Sequence, residues 1–298
     1  MSVTLPSSTR TAGGVRRRRR GPRSGLAVLP LLLFTGLCFG LPFGAVLYGA
    51  VTRTDATTGG SSLTGEHIRR SLQGPYLDSL AGSVQLSGLT AVIGSLAGLF
   101  IAQAVVTSRR QWLRSATLTA SGVLANFGGV PLAFAFIATA GISGVLTQLA
   151  DLDSLGWNLY SFTGLSVVYL YFLTPLMVLT IVPALDGLRP QWREAAQNTG
   201  ASTWQYWRMV GLPVLAPSLL GGFVLLFGSA FAAHATAAAL VGGSVPLVTL
   251  KIADALSGNV LVGQENVALA LSLDMILIAG LVMAVYLPLQ RRSARWLR

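Results

Sequence analysis

Six long uncharged apolar stretches constrain this chain more than any other feature of its sequence. A helix of about 20 apolar residues crosses the roughly 30 Å hydrocarbon core of a bilayer, and each stretch is long enough to do so. Because only 10% of the residues are charged, six buried helices in a soluble protein would leave too little polar surface. We therefore predict an all-α integral membrane protein with transmembrane helices at about 26–50, 80–106, 116–140, 162–185, 217–241 and 267–289.

The basic residues lie in alternate connecting segments. Most of the 21 lysine and arginine residues lie in the two terminal tails and in the loops that follow the second and fourth stretches. The remaining segments, 51–79, 141–161 and 242–266, hold more acidic than basic residues. The positive-inside rule then places both termini in the cytoplasm. The formal net charge of +11 is thereby explained by membrane topology, and we expect no nucleic-acid partner.

The chain divides into a short tail, one separate helix and a larger helical core. We predict a disordered arginine-rich cytoplasmic tail at 1–24, a first transmembrane helix at 25–51, an external loop at 52–78, five further helices within 79–289, and a cytoplasmic tail at 290–298. The arginine run also resembles the start of a signal peptide, but the apolar stretch after it exceeds the 7 to 15 residues expected there. The one cysteine, Cys38, excludes a disulfide framework and a cysteine metal site.

The third cytoplasmic segment, 189–217, is too long for a simple connection. Small or apolar residues recur there at helical spacing, Gly200 interrupts the pattern, and a second short apolar face ends before Pro213. This predicts two short helices joined by a glycine turn. Exposed aromatic and small side chains at this place indicate either a surface that docks another protein or a helix pair lying on the membrane surface.

The same segment resembles the EAA loop of type I ABC importer permeases. The resemblance extends over about 79–289 and implies the MetI-like permease fold, with 186–215 as the cytoplasmic loop that couples to ATPase subunits, in a bacterial-type cell membrane. The matching positions, with Val210 where isoleucine is usual, are Glu194, Ala195, Ala196, Gly200, Val210, Leu212 and Pro213.

The resemblance also implies partners for the chain. They are a second permease subunit, similar or identical, two ABC ATPase subunits, and an external solute-binding protein. The sequence has no GxxxxGK[ST] phosphate-binding loop, so ATP and Mg²⁺ are expected on the ATPases, and no cofactor, metal or catalytic residue is expected on this chain.

Within the family, two segments look most like the polyamine permease group, which transports spermidine and putrescine. They are 126–141 and 185–220. This finer resemblance predicts a small, charged, polyamine-like solute, while relatives of that group import thiamine, ferric ion or aminoethylphosphonate.

Three polar residues within the apolar stretches are candidates for the substrate pathway, because polar groups in hydrocarbon are costly. Asn126 is expected near the midplane, where the following Gly128, Gly129 and Pro131 would interrupt the helix. His234 and Asp274 are expected in the outer half of the bilayer. They either pair with each other, line the pathway, or form a hydrogen bond between helices.

Two other classes of protein fit part of the sequence. A rhomboid-type intramembrane serine protease would use Ser143, in the sequence Gly-Ile-Ser-Gly, with His234 as its base. It would leave the pattern from Glu194 to Pro213 unexplained. An ATP-independent secondary transporter would also have six spans, and it would transport without an ATPase partner.

Overall fold

The computed structural model describes residues 29–54, 61–108, 110–152, 154–257 and 265–294. It separates into two compact units, Met1–Ala45 and Val46–Arg298. The predicted tail 1–24 lies outside the described residues, as do Asp153 and the chain end after Ala294.

The first unit contains the start of one apolar helix of 23 residues, Leu29–Val51, which is long enough to cross a membrane once. It consists of α1 (Leu29–Thr35), a π-helical turn (Gly36–Gly40) and α2 (Leu41–Val51).

The second unit begins within α2 and contains a small hairpin and twelve further α-helices in the described ranges. In the hairpin, β1 (Thr52–Thr54) pairs antiparallel with β2 (Ser61–Leu63), and Thr52 lies opposite Leu63. The helices are α3 (Glu66–Ser71), α4 (Gly74–Thr107), α5 (Gln111–Asn126), α6 (Val130–Ala140), α7 (Val145–Ala150), α8 (Phe162–Asp186), α9 (Pro190–Asn198), α10 (Thr203–Tyr206), α11 (Leu212–Phe231), α12 (Ala235–Leu240), α13 (Val248–Leu256) and α14 (Glu265–Ala294). A π-helical turn, Trp207–Gly211, joins α10 to α11.

Within the described residues, six helical segments are long and apolar enough to cross a membrane, which confirms the predicted fold class. They are Leu29–Val51, Gly74–Thr107, Val130–Ala150, Phe162–Asp186, Thr203–Phe231 and Glu265–Arg291.

The third span differs from the predicted helix at 116–140. The chain forms two helices there, α5 and α6, separated by residues 127–129. Gly129 adopts a φ of 75°, and Pro131 lies in the first turn of α6, so no continuous helix passes through. The apolar helical segment of spanning length is Val130–Ala150, because α5 is rich in serine, threonine and glycine.

Helix α8 lies at the centre of the bundle and packs against α4, α5 and α11. Tyr169, Leu173, Met177 and Ile181, which follow one another at four-residue spacing, are fully buried. The neighbouring helices approach closely because Gly98 of α4 and Gly222 of α11 both face Met177, and a β-carbon at either position would overlap that side chain.

The predicted topology, in which successive spans cross in opposite directions, assigns the short segments to two sides. The connection after α4, the pair α9–α10 and the end of α14 lie on the side that the charge pattern predicts to be cytoplasmic. The same prediction assigns the hairpin and α13 to the other, external side. Helix α4 has 34 residues and is therefore about 51 Å long.

Candidate functional site

The cytoplasmic segment forms two short helices joined by a turn at Gly200. Gly200 adopts a φ of 79°, which favours glycine over any residue with a β-carbon. Its N–H donates to the Gln197 carbonyl (2.9 Å), and the Ala201 N–H donates to the Ala196 carbonyl (3.0 Å). This is a Schellman motif, which satisfies the last carbonyl groups of α9 and turns the chain sharply.

The second short helix begins with a capping box. The Ser202 hydroxyl accepts a hydrogen bond from the Gln205 N–H (3.2 Å), and the Gln205 side chain accepts one from the Ser202 N–H (2.7 Å). The reciprocal bonds satisfy two N–H groups that a helix start would otherwise leave unpaired. Hydrogen bonds between residues three to five positions apart therefore fix both ends of the connection.

The two short helices, α9 and α10, and the chain that follows them enclose an open groove of about 940 Å³. Its wall combines small and apolar side chains from α9, α10, the π-helical turn and the start of α11. Met209 in its wall is 72% exposed, and Trp204, on α10 beside it, is 69% exposed. The lining residues are Gly187, Arg189, Trp192, Ala195, Ala196, Thr199, Ala201, Gln205, Tyr206, Met209, Val210, Pro213 and Val214.

Four of the seven residues that match the EAA pattern line this groove: Ala195, Ala196, Val210 and Pro213. The other three, Glu194, Gly200 and Leu212, are exposed nearby. Within the part of the chain that the structure describes, the Glu194 carboxylate has no hydrogen bond or ion pair. Gly200 has open space where a β-carbon would lie. Glycine is therefore favoured there by the backbone conformation and not by a close contact with other described residues.

Sequence reasoning missed the π-helical turn Trp207–Gly211 that leads into α11. The Trp207 ring lies over Gly211, where a β-carbon would overlap it, and packs edge-on against the buried Tyr206 with ring centroids 5.8 Å apart. The signal available in the sequence was the tryptophan followed four residues later by glycine.

The predicted third and fifth spans, 116–140 and 217–241, are each interrupted, at residues 127–129 and 232–234, and the two interruptions touch. The Gly129 N–H donates a hydrogen bond to the Thr236 hydroxyl (2.9 Å). The same hydroxyl donates a longer one to the Gly129 carbonyl (3.4 Å). Between α11 and α12, the Tyr169 hydroxyl of α8 donates to the Ala233 carbonyl (2.8 Å). Side-chain hydroxyls thus satisfy backbone groups that the broken helices leave free.

The three predicted pathway residues do not form one cluster. Asn126 and His234 are exposed beside the two interruptions, and the Asn126 amide donates to the Gly122 carbonyl (2.8 Å). Asp274 is buried beside Ser71 of the external helix α3. No ion pair joins His234 to Asp274 among the residues that the structure describes.

Ser143 and His234 do not form a catalytic pair. Ser143 lies in the turn after α6, and no hydrogen bond joins it to His234 in the described ranges. The 11 residues of α6, about 16 Å of helix, separate Ser143 from Gly129. Ala235, the residue after His234, lies close to Gly129, so His234 is near the other end of α6. The described residues also contain no group of three His, Cys, Asp or Glu side chains placed to hold a metal ion.

Several curated proteins are similar to parts of the chain. The sulfate transport system permease protein CysT of Escherichia coli K12 is 38% identical over 68 residues, which are 23% of this chain and 24% of CysT. The thiamine transport system permease protein ThiP of Haemophilus influenzae is 27% identical over 173 residues, 55% of this chain and 31% of ThiP. A probable sulfate transport system permease protein cysT of Anthoceros angustus is 29% identical over 185 residues, 59% of this chain and 60% of that protein. The chain thus spans 24% to 60% of the length of these relatives.

Two solved structures share the fold. A chain of a bacterial ABC transporter involved in the import of the acidic polysaccharide alginate has a TM-score of 0.66 at 16% identity, over 92% of this chain and 95% of that chain. A chain of the bacterial alginate ABC transporter in complex with alginate pentasaccharide-bound periplasmic protein has a TM-score of 0.68 at 16% identity, over 91% and 94%.

The model of one protein family, described as binding-protein-dependent transport system inner membrane component, matches residues 86–298. The match covers more than two thirds of the chain, including the cytoplasmic loop and the last four spans. It agrees with the resemblance carried by Glu194 to Pro213 and with the six apolar helices. The chain therefore belongs to this family of type I ABC importer permeases and is a multi-pass protein of the cell membrane.

Proposed function

We propose that this chain forms the translocation pathway of an ATP-driven importer, for a small solute that an external binding protein delivers. ATP hydrolysis would take place on separate ATPase subunits, and this chain would change conformation without making or breaking covalent bonds. The observation that carries the proposal is the exposed groove on the predicted cytoplasmic side, lined by four residues of the EAA pattern.

The groove favours a protein partner over the membrane surface. A flat bilayer does not fill a concave space of about 940 Å³, whereas a convex part of a folded protein does. Trp204 and Met209 leave apolar surface in water until such a partner covers it, and large aromatic side chains contribute most to such contacts. The Glu194 carboxylate, which has no partner among the described residues, would meet a basic or hydrogen-bond-donating group of the ATPase.

The interrupted spans support a pathway beside Asn126 and His234. Irregular backbone at membrane depth is tolerated where it is buried in protein or lines a water-filled cavity. Both residues are exposed next to such backbone, so the proposed pathway passes them. Asp274 is buried against α3, which favours a hydrogen bond between helices over a place in the pathway.

The proposed solute is small and hydrophilic, and we assign no sign to its charge. The relatives described above carry the names of sulfate and thiamine permeases, one an anion and the other a cation. Among these named relatives none is a polyamine permease, so the polyamine-like solute gains no support from them.

The proposed assembly has a second permease subunit, two ATPase subunits at the groove, and a solute-binding protein outside. The alginate transporter solved with its periplasmic protein supports the last of these. We place the external docking surface near Asp151, Asp254 and Glu265, which give that side its acidic character.

The charge reversal Glu194→Lys tests the ATPase surface. We expect co-purification with the ATPase subunits to fall at least about tenfold, because buried charged contacts that lose their partner cost several kcal/mol. The matched control, Asp254→Lys, makes the same kind of change on the external side and should leave ATPase co-purification unchanged. Full ATPase retention and normal transport in Glu194→Lys would contradict the proposal, and transport without any ATPase would indicate a secondary transporter.

A further inference from the structure

One ion pair joins two spans at the base of the cytoplasmic loop. Nη2 of Arg114, in the first turn of α5, contacts Oδ2 of Asp186, the last residue of α8. The two side chains are 38% and 37% exposed, so the pair lies at the rim of the bundle. In the described ranges the other ion pair, Arg70–Glu66, lies within a single helix turn.

Each charge occupies the unfavourable end of its own helix. A helix N-terminus carries partial positive charge and disfavours Arg114, and a helix C-terminus carries partial negative charge and disfavours Asp186. Neither residue therefore stabilises the helix on which it lies. Their mutual contact offsets both unfavourable placements.

The pair connects the two parts of the candidate site. Asp186 is followed directly by Gly187, which lines the groove. Helix α5 packs along α8 and ends at Asn126, where the third span is interrupted. An ion pair at this point links the base of the loop to the helix that leads to the interruption.

We propose that Arg114 and Asp186 are positioning residues that pass movement of the cytoplasmic loop to α5 and hence to the interruption of the third span. The inference rests on the proposed function, because it requires an ATPase that moves the loop. When the loop is displaced, the base of α8 and the start of α5 move together as long as the pair is intact. Without the pair, the loop moves and α5 follows less.

The experiment measures an ATP-dependent movement in the complete complex, so it requires no knowledge of the solute. In a Cys38→Ser background, spin labels are placed at two exposed positions, Val123 on α5 and Leu281 on α14. The distance between the labels is measured with and without ATP and vanadate. ATPase co-purification is measured on the same samples.

We expect Arg114→Ala and Asp186→Ala each to lower the ratio of moved to unmoved label populations, read from the distance distribution with ATP and vanadate, by up to about fivefold, the factor in an equilibrium constant to which an exposed ion pair corresponds. ATPase co-purification should stay unchanged. The charge swap, Arg114→Asp with Asp186→Arg, should restore the distance change, because the pair is kept and each charge then suits its helix end. Arg70→Gln, which breaks the pair within α3, is the matched control and should have no effect.

An unchanged distance change in both single variants would overturn the inference and leave the proposed function standing. A swap that fails to restore the movement while keeping ATPase binding would also overturn it, because the contact itself would then not be what matters. Absence of ATPase from the unsubstituted complex would overturn the proposed function, and the inference with it.

Discussion

The cytoplasmic loop and the interrupted spans obtain their shapes in opposite ways. In the loop, the decisive hydrogen bonds join residues three to five positions apart, as in Ala201 to Ala196 and Gln205 to Ser202. At the interruptions, Gly129 and Thr236 are 107 positions apart, and Tyr169 and Ala233 are 64 apart. The loop therefore carries its conformation in its own sequence, whereas the membrane site exists only when the whole bundle has formed.

This difference suits the two proposed roles. A surface that docks a separate subunit benefits from a shape that is present before the partner arrives, because less ordering is then required on binding. A pathway that must open and close benefits from contacts between separate elements, which rearrange without unfolding any helix. The predictions below test whether local and long-range contacts serve these separate purposes.

The largest effect is expected for Gly200→Val. A β-branched residue at φ 79° costs about 1–3 kcal/mol and removes the Schellman turn, so the groove would lose its shape. ATPase co-purification should fall at least about tenfold, with membrane insertion unchanged. Gly228→Val is the matched control, because Gly228 lies within α11 with open space and ordinary backbone angles. Equal ATPase retention by the two variants would refute a locally determined docking surface.

A smaller effect is expected for Trp204→Ala. Loss of a 69% exposed aromatic side chain leaves the fold intact but removes contact area, and should weaken ATPase binding about fivefold. Binding is measured by titrating purified ATPase subunit against the permease in detergent. The control is Trp112→Ala, since Trp112 is similarly exposed, at 65%, but lies on α5, whereas Trp204 lies on α10, one of the helices that form the groove. If Trp112→Ala weakens binding as much, the groove is not the docking surface.

Thr236→Val tests the long-range hydrogen bonds at the interrupted spans. It preserves side-chain size and removes both hydrogen bonds to Gly129, which in membrane proteins are worth about 1 kcal/mol. The thermal midpoint in detergent should fall about 2–4 °C, with no change in ATPase binding. Thr139→Val is the control, because its hydroxyl bonds only within its own helix, to the Ala135 and Phe136 carbonyls. A loss of ATPase binding in Thr236→Val would show that the two regions are not independent.

Ser143→Ala should have no effect. Its hydroxyl makes no hydrogen bond to His234 among the described residues, and a full helix separates it from the interruptions. Transport, thermal midpoint and reaction with a serine-directed fluorophosphonate should all match those of the unsubstituted chain. Labelling that disappears in Ser143→Ala would revive the protease interpretation.

The sequence predicted what depends on local pattern. Apolar length identified six spans, and the position of Gly200 between two short apolar faces predicted the turn in the cytoplasmic loop. Gly128, Gly129 and Pro131 correctly marked the interruption after Asn126, because glycine and proline disrupt helices by their own backbone chemistry.

The sequence did not predict features that depend on contacts between distant residues. The interruption before His234 has no proline or glycine next to it. There the Tyr169 hydroxyl, from another helix, donates a hydrogen bond to the Ala233 carbonyl. The contact of Arg114 with Asp186 likewise joins residues 72 positions apart, and the charges alone gave no indication of which partners meet.

The length of α4 has a consequence for the space above the membrane. At about 51 Å, this helix exceeds the roughly 40–45 Å thickness of a whole bilayer with its headgroups. A helix of this length extends beyond the roughly 30 Å hydrocarbon core even when it is tilted by about 20°. Its first turn, which begins at Gly74, lies at the predicted external end, so we expect a solute-binding protein that docks there to contact protein as well as lipid headgroups.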